Sequence, residues 1–281
     1  MQLTGGIAFT SGVVINATIS VDYLVVGGGA SGASSGNGGS PGGGAGGLIY
    51  KAANSFEIGV LHTVTIGPGG AGGGQLTSNP GNSSTIIGTG VALTALYGGA
   101  QTKSSPYVTN GLPGGSGGGA PAGSTGGAGI QPQQSGDSGA YGFGNAGANG
   151  GPGDVGGGGA GAAATSSTGG AGKSYNISGT SQFYAGGGAG NDYNGGGGSG
   201  GSGVGGSAVT GQSRDAVVNT GSGGAGIWSA LGSSGSGSSG ICIFKYADSY
   251  PAATVTGSPT ITVAGGYRTY IFTGNGTIIF N

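Results

Sequence analysis

Runs of glycine fill the middle of this chain and thin out at its two ends. Gly27-Gly28-Gly29, Gly42-Gly43-Gly44, 156–159 and 195–198 are examples, within a total of 81 glycines in 281 residues. An average chain carries about 7% glycine. Glycine loses more backbone freedom on folding than any other residue, and a helix interior does not survive it at this density. The ends are short, β-branched and aromatic instead. The composition therefore divides the chain into 1–26 as N-terminal strands, 27–240 as a glycine-rich domain with intervening loops, and 241–281 as C-terminal strands.

Charge is almost missing. Six Lys or Arg and seven Asp or Glu give a net charge of −1. A nucleic-acid binder needs clustered cations to displace counterions from phosphates, and a polybasic membrane-surface protein needs them beside anionic lipid. Neither is expected here, and no apolar run approaches the length that spans a bilayer. The opening Met1-Gln2-Leu3-Thr4-Gly5-Gly6 has neither the basic nor the apolar region of a secretory signal. Cys242 is the single cysteine, so no intramolecular disulfide forms.

A composition this rich in Gly and Ser also suits a flexible linker. Twelve tyrosines and the scarcity of charge argue for order instead. A collagen helix needs glycine at every third residue with abundant proline. Gly186-Gly187-Gly188-Ala189-Gly190 breaks that frame, and prolines total 10.

Strand signals come from β-branched and aromatic pieces bounded by turns. At the start these are 7–9, 13–19 and 21–26, the first two divided by Thr10-Ser11-Gly12. Two islands interrupt the glycine: 48–50 with 61–66, and 85–87 with 91–97. At the end come 241–246, 260–263, and a hairpin of 267–272 with 277–280 over Gly274-Asn275-Gly276. The segments 7–16 and 270–281 share a strand, Phe-Thr turn, strand, Asn order, and read as two copies of one hairpin unit. The apolar strands 21–26 and 241–246 abut the first and last glycine runs. They are expected to pair and close the domain, since each otherwise exposes an edge.

A glycine run can form an extended helix with three residues per turn, whose amides pair laterally when such helices pack. The fold class expected is irregular and all-β: a packed polyglycine-II helix bundle flanked by short β-strands from both termini. Valine at Gly158 or Gly197 should then abolish folding or assembly, and changes at Ser124 or Ser238 should be mild by comparison.

Catalytic chemistry finds little footing. One His and one Cys stand among seven scattered acids, and no metal-ligand spacing occurs. His62 lies in a strand-like spacer and reads as a half-exposed strand residue rather than part of a hydrolytic triad. Gly27-Gly28-Gly29-Ala30-Ser31-Gly32 follows a strand but opens no helix, so it lacks the terminus that binds a dinucleotide phosphate. No enzyme, no cofactor and no metal are expected.

Aromatic residues in and beside the spacers carry more. Tyr and Trp offer rigid contact area, and Ser, Gly and Asn offer adaptable hydrogen bonds, as in recognition loops. Tyr107, Tyr141, Phe143, Tyr175, Tyr184 and Tyr193 are the candidate receptor-binding residues. Tyr97, Phe183 and Trp228 share the setting. These rings equally suit end caps or subunit contacts. The spacers 100–110, 130–149 and 173–194 hold the densest aromatic and amide mixture, so contact with a partner is expected there and to depend weakly on salt.

Several strand motifs carry a resemblance. Val21-Asp22-Tyr23-Leu24-Val25-Val26 entering Gly27-Gly28-Gly29 resembles the opening of the glycine-rich domains of bacteriophage tail fibres and related virion proteins. Asn219-Thr220-Gly221-Ser222-Gly223-Gly224-Ala225-Gly226 resembles their late glycine segment, and 239–246 their closing strand. The segment 267–277 is similar to a unit that flanks such domains. The arrangement is also similar to polyglycine-helix tail-fibre tip adhesins. The resemblance implies a virion protein that binds the host surface through loops between glycine runs. It implies as partners other virion proteins, and a host glycan or outer-membrane protein. A homo-oligomer follows, with a trimer favoured, and neither nucleic acid nor membrane insertion is involved. No separate fibre-attachment domain is evident. The alternative is a purely structural virion component; ice binding is a third reading, for which regular threonine rows are missing.

Overall fold

The apolar ends and the two islands of the middle assemble into one β-sandwich, beside which the glycine runs are stacked. The computed structural model describes residues 17–35, 39–74, 78–104, 107–132, 143–151, 155–191, 196–212, 214–228 and 232–281. One sheet has the order β14-β15-β12-β1-β3, built from β1 (Thr18–Val26), β3 (Leu48–Glu57), β12 (Ile241–Ala247), β14 (Thr260–Ala264) and β15 (Tyr267–Phe272). The other has the order β13-β16-β4-β5-β6, from β4 (Leu61–Thr65), β5 (Ser84–Gly88), β6 (Val91–Ala95), β13 (Thr254–Thr256) and β16 (Gly276–Ile279). Every neighbouring pair in both sheets is antiparallel. Short ladders complete the set: β2 (Ser34–Ser35) with β11 (Ile227–Trp228), β7 (Gln101–Ser104) with β8 (Tyr107–Gly111), and β9 (Lys173–Tyr175) with β10 (Gln182–Tyr184).

The expected pairing of the two apolar strands holds: Asp22 faces Lys245 and Val26 faces Ile241, antiparallel throughout. Alternation sorts their side chains. Ile19, Val21, Tyr23 and Val25 join Cys242, Phe244 and Tyr246 between the two sheets, with Phe56, Tyr270, Phe272, Ile278 and Phe280. Ring centroids lie 5.1 Å apart for Phe56–Phe280 and 5.8 Å for Phe244–Phe280. Tyr246 and Tyr270 stack at 5.7 Å, and their hydroxyls both accept the Ala253 amide at 2.9 Å, pinning the turn before β13. The opposite face of the first sheet, with Leu24, Val26, Ile241 and Ile243, is also buried, under Phe143, Ile177 and Tyr184. Burial on both faces explains why these strands read as nearly continuous apolar runs.

Two sequence expectations need correction. The chain does not form a polyglycine helix bundle with strands confined to its ends. It is nearly all β, strands recur through 27–240, and one 3-10 turn at Gly201–Gly203 is the helical element among the described residues. The reason lies in the islands: β3 to β6 are β-branched and apolar enough to complete sheets with the two ends, not to serve as loops. The second correction concerns the C-terminal hairpin. β15 and β16 enter different sheets, because the Asn275 side chain accepts the Ile66 amide at 2.8 Å and draws β16 onto β4. Ser238, whose substitution is expected to be mild beside valine at a run-interior glycine, is buried, its Oγ accepting the amides of Ser222 at 3.0 Å and Thr220 at 3.3 Å. The expected strands at 7–9 and 13–16 and the first copy of the hairpin unit lie outside the described residues.

Between strands the glycine segments run extended, bonded to one another through their backbones. Partners rotate with a period of three. Gly27, Ala30 and Ala33 donate to the carbonyls of Gly47, Gly44 and Pro41; Gly28 and Ser31 to Asn82 and Asn79; Gly29 and Gly32 to Ser238 and Gly235. The segment 42–47 repeats this: Gly42 and Ala45 donate to Val155 and Gly158, Gly43 and Gly46 to Gly224 and Gly221, and Gly44 and Gly47 to Gly99 and Leu96. A strand alternates between two neighbours; bare Cα groups let a third approach. A Cβ on Gly158 would run into the Asn145 carbonyl, one on Gly157 into that of Gly43, and one on Gly197 into that of Ala208.

Candidate functional site

Of the six aromatic residues singled out in the sequence, Phe143, Tyr175 and Tyr184 meet in one cluster under the first sheet. Tyr141 and Tyr193 lie outside the described residues; Tyr107 sits on β8, with its backbone alone described. Phe143 and Tyr184 are buried under the first sheet, leaving them no surface to offer a partner. Burial also raises the Tyr184 phenol above its ordinary range. Tyr175 is half-buried and packs on Tyr50, ring centroids 4.5 Å apart. The described candidates thus clamp the glycine layer to the sandwich. Phe183 and Tyr97, beside them in sequence, are the exposed rings, at 43% and 37%.

His62 is not half-exposed as expected. It is fully buried, 5.0 Å from the Phe56 ring, and neither ring nitrogen has a hydrogen-bond partner among the described residues. Burial lowers its pKa, with Glu57 opposing the shift. Cys242 is buried too, and burial pushes its thiol up, away from reactive thiolate. No group of three or more His, Cys, Asp or Glu among the described residues is placed to hold a metal ion.

A surface with recognition chemistry does exist, where the covering layer stops short of the edge of the first sheet. β9 and β10 and the turn between them lie over the middle of that sheet, and beyond the turn an open groove of about 320 Å³ remains. Its floor is the outward face of three strands in register: Lys245 beside Thr269 beside Thr262, and in the next row Tyr267 beside Ala264. Asn176, Ser178 and Gly179 of the turn form the wall. Gly179, at φ 99°, lets its amide reach back to the Asn176 carbonyl at 3.0 Å, which fixes the turn. The Lys245 ammonium sits 4.4 Å above the Tyr267 ring, which is 44% exposed.

Neither a nucleophile–base pair nor a carboxylate lines this groove among the described residues. Its chemistry is that of holding: one ring, one cation, and several hydroxyl and amide groups. Two other grooves lack a ring: a polar one lined by Gln212, Arg214 and serines 233, 234 and 236, and one lined by Asp215, Val218 and Asn219. Sequence reading passed over Lys245 and Tyr267 because both lie in strands. The available signal was alternation: Lys245 is the one charged residue of β12, on the face opposite Phe244 and Tyr246.

A family model described as a glycine-rich domain matches residues 7–247. No curated protein and no solved structure matches the chain.

Proposed function

The chain belongs to the glycine-rich domain family, and from that premise we propose that it is a bacteriophage virion protein, a tail-fibre or tail-tip adhesin that binds the host cell surface. The observation that carries the receptor role is the groove of Tyr267, Lys245, Thr262, Thr269, Asn176 and Ser178. A half-exposed ring flanked by hydroxyl and amide groups suits a saccharide, whose faces are apolar and whose rim is polar. The site stands on strands rather than on a long loop, so its geometry is set before the ligand arrives. The strand motifs at both ends, which resemble those of phage fibre domains, support the virion assignment.

The test is direct. Fluorescently labelled protein is offered to a panel of bacterial strains, and the bound strains are challenged with phage. Saturable binding that blocks adsorption is expected. Absence of binding to every strain would defeat the receptor role.

A structural virion component without receptor binding is the second reading, and β14 favours it. This edge strand is exposed along its whole length, uncharged, with Ile261 and Val263 50% and 52% accessible. Unprotected edges of this kind pair with other chains, as a homo-oligomer or a neighbouring virion protein would.

A further inference from the structure

We infer that the groove between β14–β15 and the 176–179 turn binds a carboxylate-bearing saccharide, with Lys245 on the carboxylate and Tyr267 against the sugar face. The inference rests on the adhesin reading only in taking the saccharide as a surface glycan; the site itself follows from its lining.

Register sets the dimensions. Lys245, Thr269 and Thr262 are paired across three adjacent strands, so they form one row of cation, hydroxyl, hydroxyl. Two inter-strand spacings make that row about 10 Å long, the length of two sugar rings. Tyr267 lies one row along, with small Ala264 beside it, which leaves the ring flank open. Lys245 already covers part of the ring at 4.4 Å, so a sugar stacked on the remaining face brings a ring substituent within reach of the ammonium. Asn176 and Ser178 meet the sugar from the wall. The Ser178 hydroxyl donates to the Thr180 carbonyl at 3.1 Å and so offers an acceptor to the groove.

Charge selects the acidic member of the class. The lining holds one cation and no anion. The acid nearest in register, Asp22, stands opposite Lys245 on the same face of the sheet; its Oδ1 accepts the Ala53 amide at 2.8 Å, and it does not line the groove. A Lys–carboxylate hydrogen bond is charge-assisted and about twice as strong as a neutral one.

The experiment is a calorimetric titration of the full chain with two tetrasaccharides. One alternates glucuronic acid with N-acetylglucosamine; the other is neutral chitotetraose. The acidic sugar is expected to bind at least tenfold more tightly in low salt, and half-molar sodium chloride should remove most of that margin. Lys245→Gln should bring the two sugars level, and Tyr267→Ala should weaken both by tenfold or more. Tyr97→Ala, remote from the groove, should change neither. Equal affinity for the two sugars, binding of neither, or an unchanged margin in Lys245→Gln of parental melting temperature would each overturn the inference. The two readings separate cleanly. Strain binding without acidic-sugar binding removes the site and keeps the adhesin; sugar binding without strain binding removes the adhesin and keeps the site.

Discussion

In the sandwich, Phe56, Phe244 and Phe280 meet ring to ring between sheets held apart by their side chains. In the glycine layer the carbonyl of one segment occupies the place where the next segment's side chain would be, as Asn145 does at Gly158. The first region is stabilised by apolar area removed from water, and loses stability when side chains shrink. The second is held by lateral amide hydrogen bonds, each worth about 1 kcal/mol net, and loses it when side chains appear. Both regions share β1, which leaves the sandwich at Val26 and enters the glycine layer at Gly27 without a turn.

The contrast is broken most severely by adding atoms to the layer. Gly158→Val should yield no soluble folded protein, because the clash is with backbone that several other segments hold in place. Gly74→Ala, where a Cβ meets nothing within 4 Å, should express and melt like the parent. Comparable melting of both variants would show that the segments are not packed as described. Next in size is removal of atoms from the sandwich: Phe280→Ala should cost about 3–5 kcal/mol in chemical denaturation, with Phe280 fully buried among the rings of Phe56, His62, Phe244 and Tyr246.

A smaller effect is expected where the layer uses a side chain as a bonding partner. Ser238→Ala leaves the amides of Thr220 and Ser222 without their acceptor and should cost about 1–3 kcal/mol. A loss below a few tenths would show that the Thr220 and Ser222 amides do not depend on Ser238. Ser124 is partly exposed and should tolerate alanine.

The smallest expected effect is a pH dependence. Burial holds the folded-state pKa of His62 below its usual 6.5, with Glu57 pulling the other way. The unfolded chain therefore binds the proton more readily, and stability rises with pH across the window between the two values. The melting temperature should be level above about 6.5 and fall as pH drops below it. His62→Leu should flatten that fall between pH 6.5 and 5. An unchanged slope would assign the acid sensitivity to other groups.

Much of the fold was legible. β1 and β12 announced themselves as apolar strands beside glycine, and they pair residue for residue. The path of β16 was hidden, since Gly274-Asn275-Gly276 looks like a hairpin turn while Asn275 is bonded to a residue 209 positions away. The burial of His62 was hidden in the same way: its spacer alternates, and which face is covered depends on the partner sheet. The groove could not be seen at all, because Lys245 and Tyr267 meet only through the register of β12 with β15. Of the tyrosines that did stand out, Tyr175 and Tyr184 serve as packing. Tyr184 fills the space where the glycine layer, having no side chains of its own, meets the sheet.

Amide hydrogen exchange tests the central claim most directly, that glycine runs are held as firmly through backbone as the sandwich is through side chains. The amides of Gly28, Gly43, Gly44 and Gly187, which donate to Asn82, Gly224, Gly99 and Gly170, should be protected to within about tenfold of those of Val25 and Phe244 in the sandwich core. Exchange of the glycine amides at the rate of an unstructured peptide, with the sandwich amides still protected, would contradict the account.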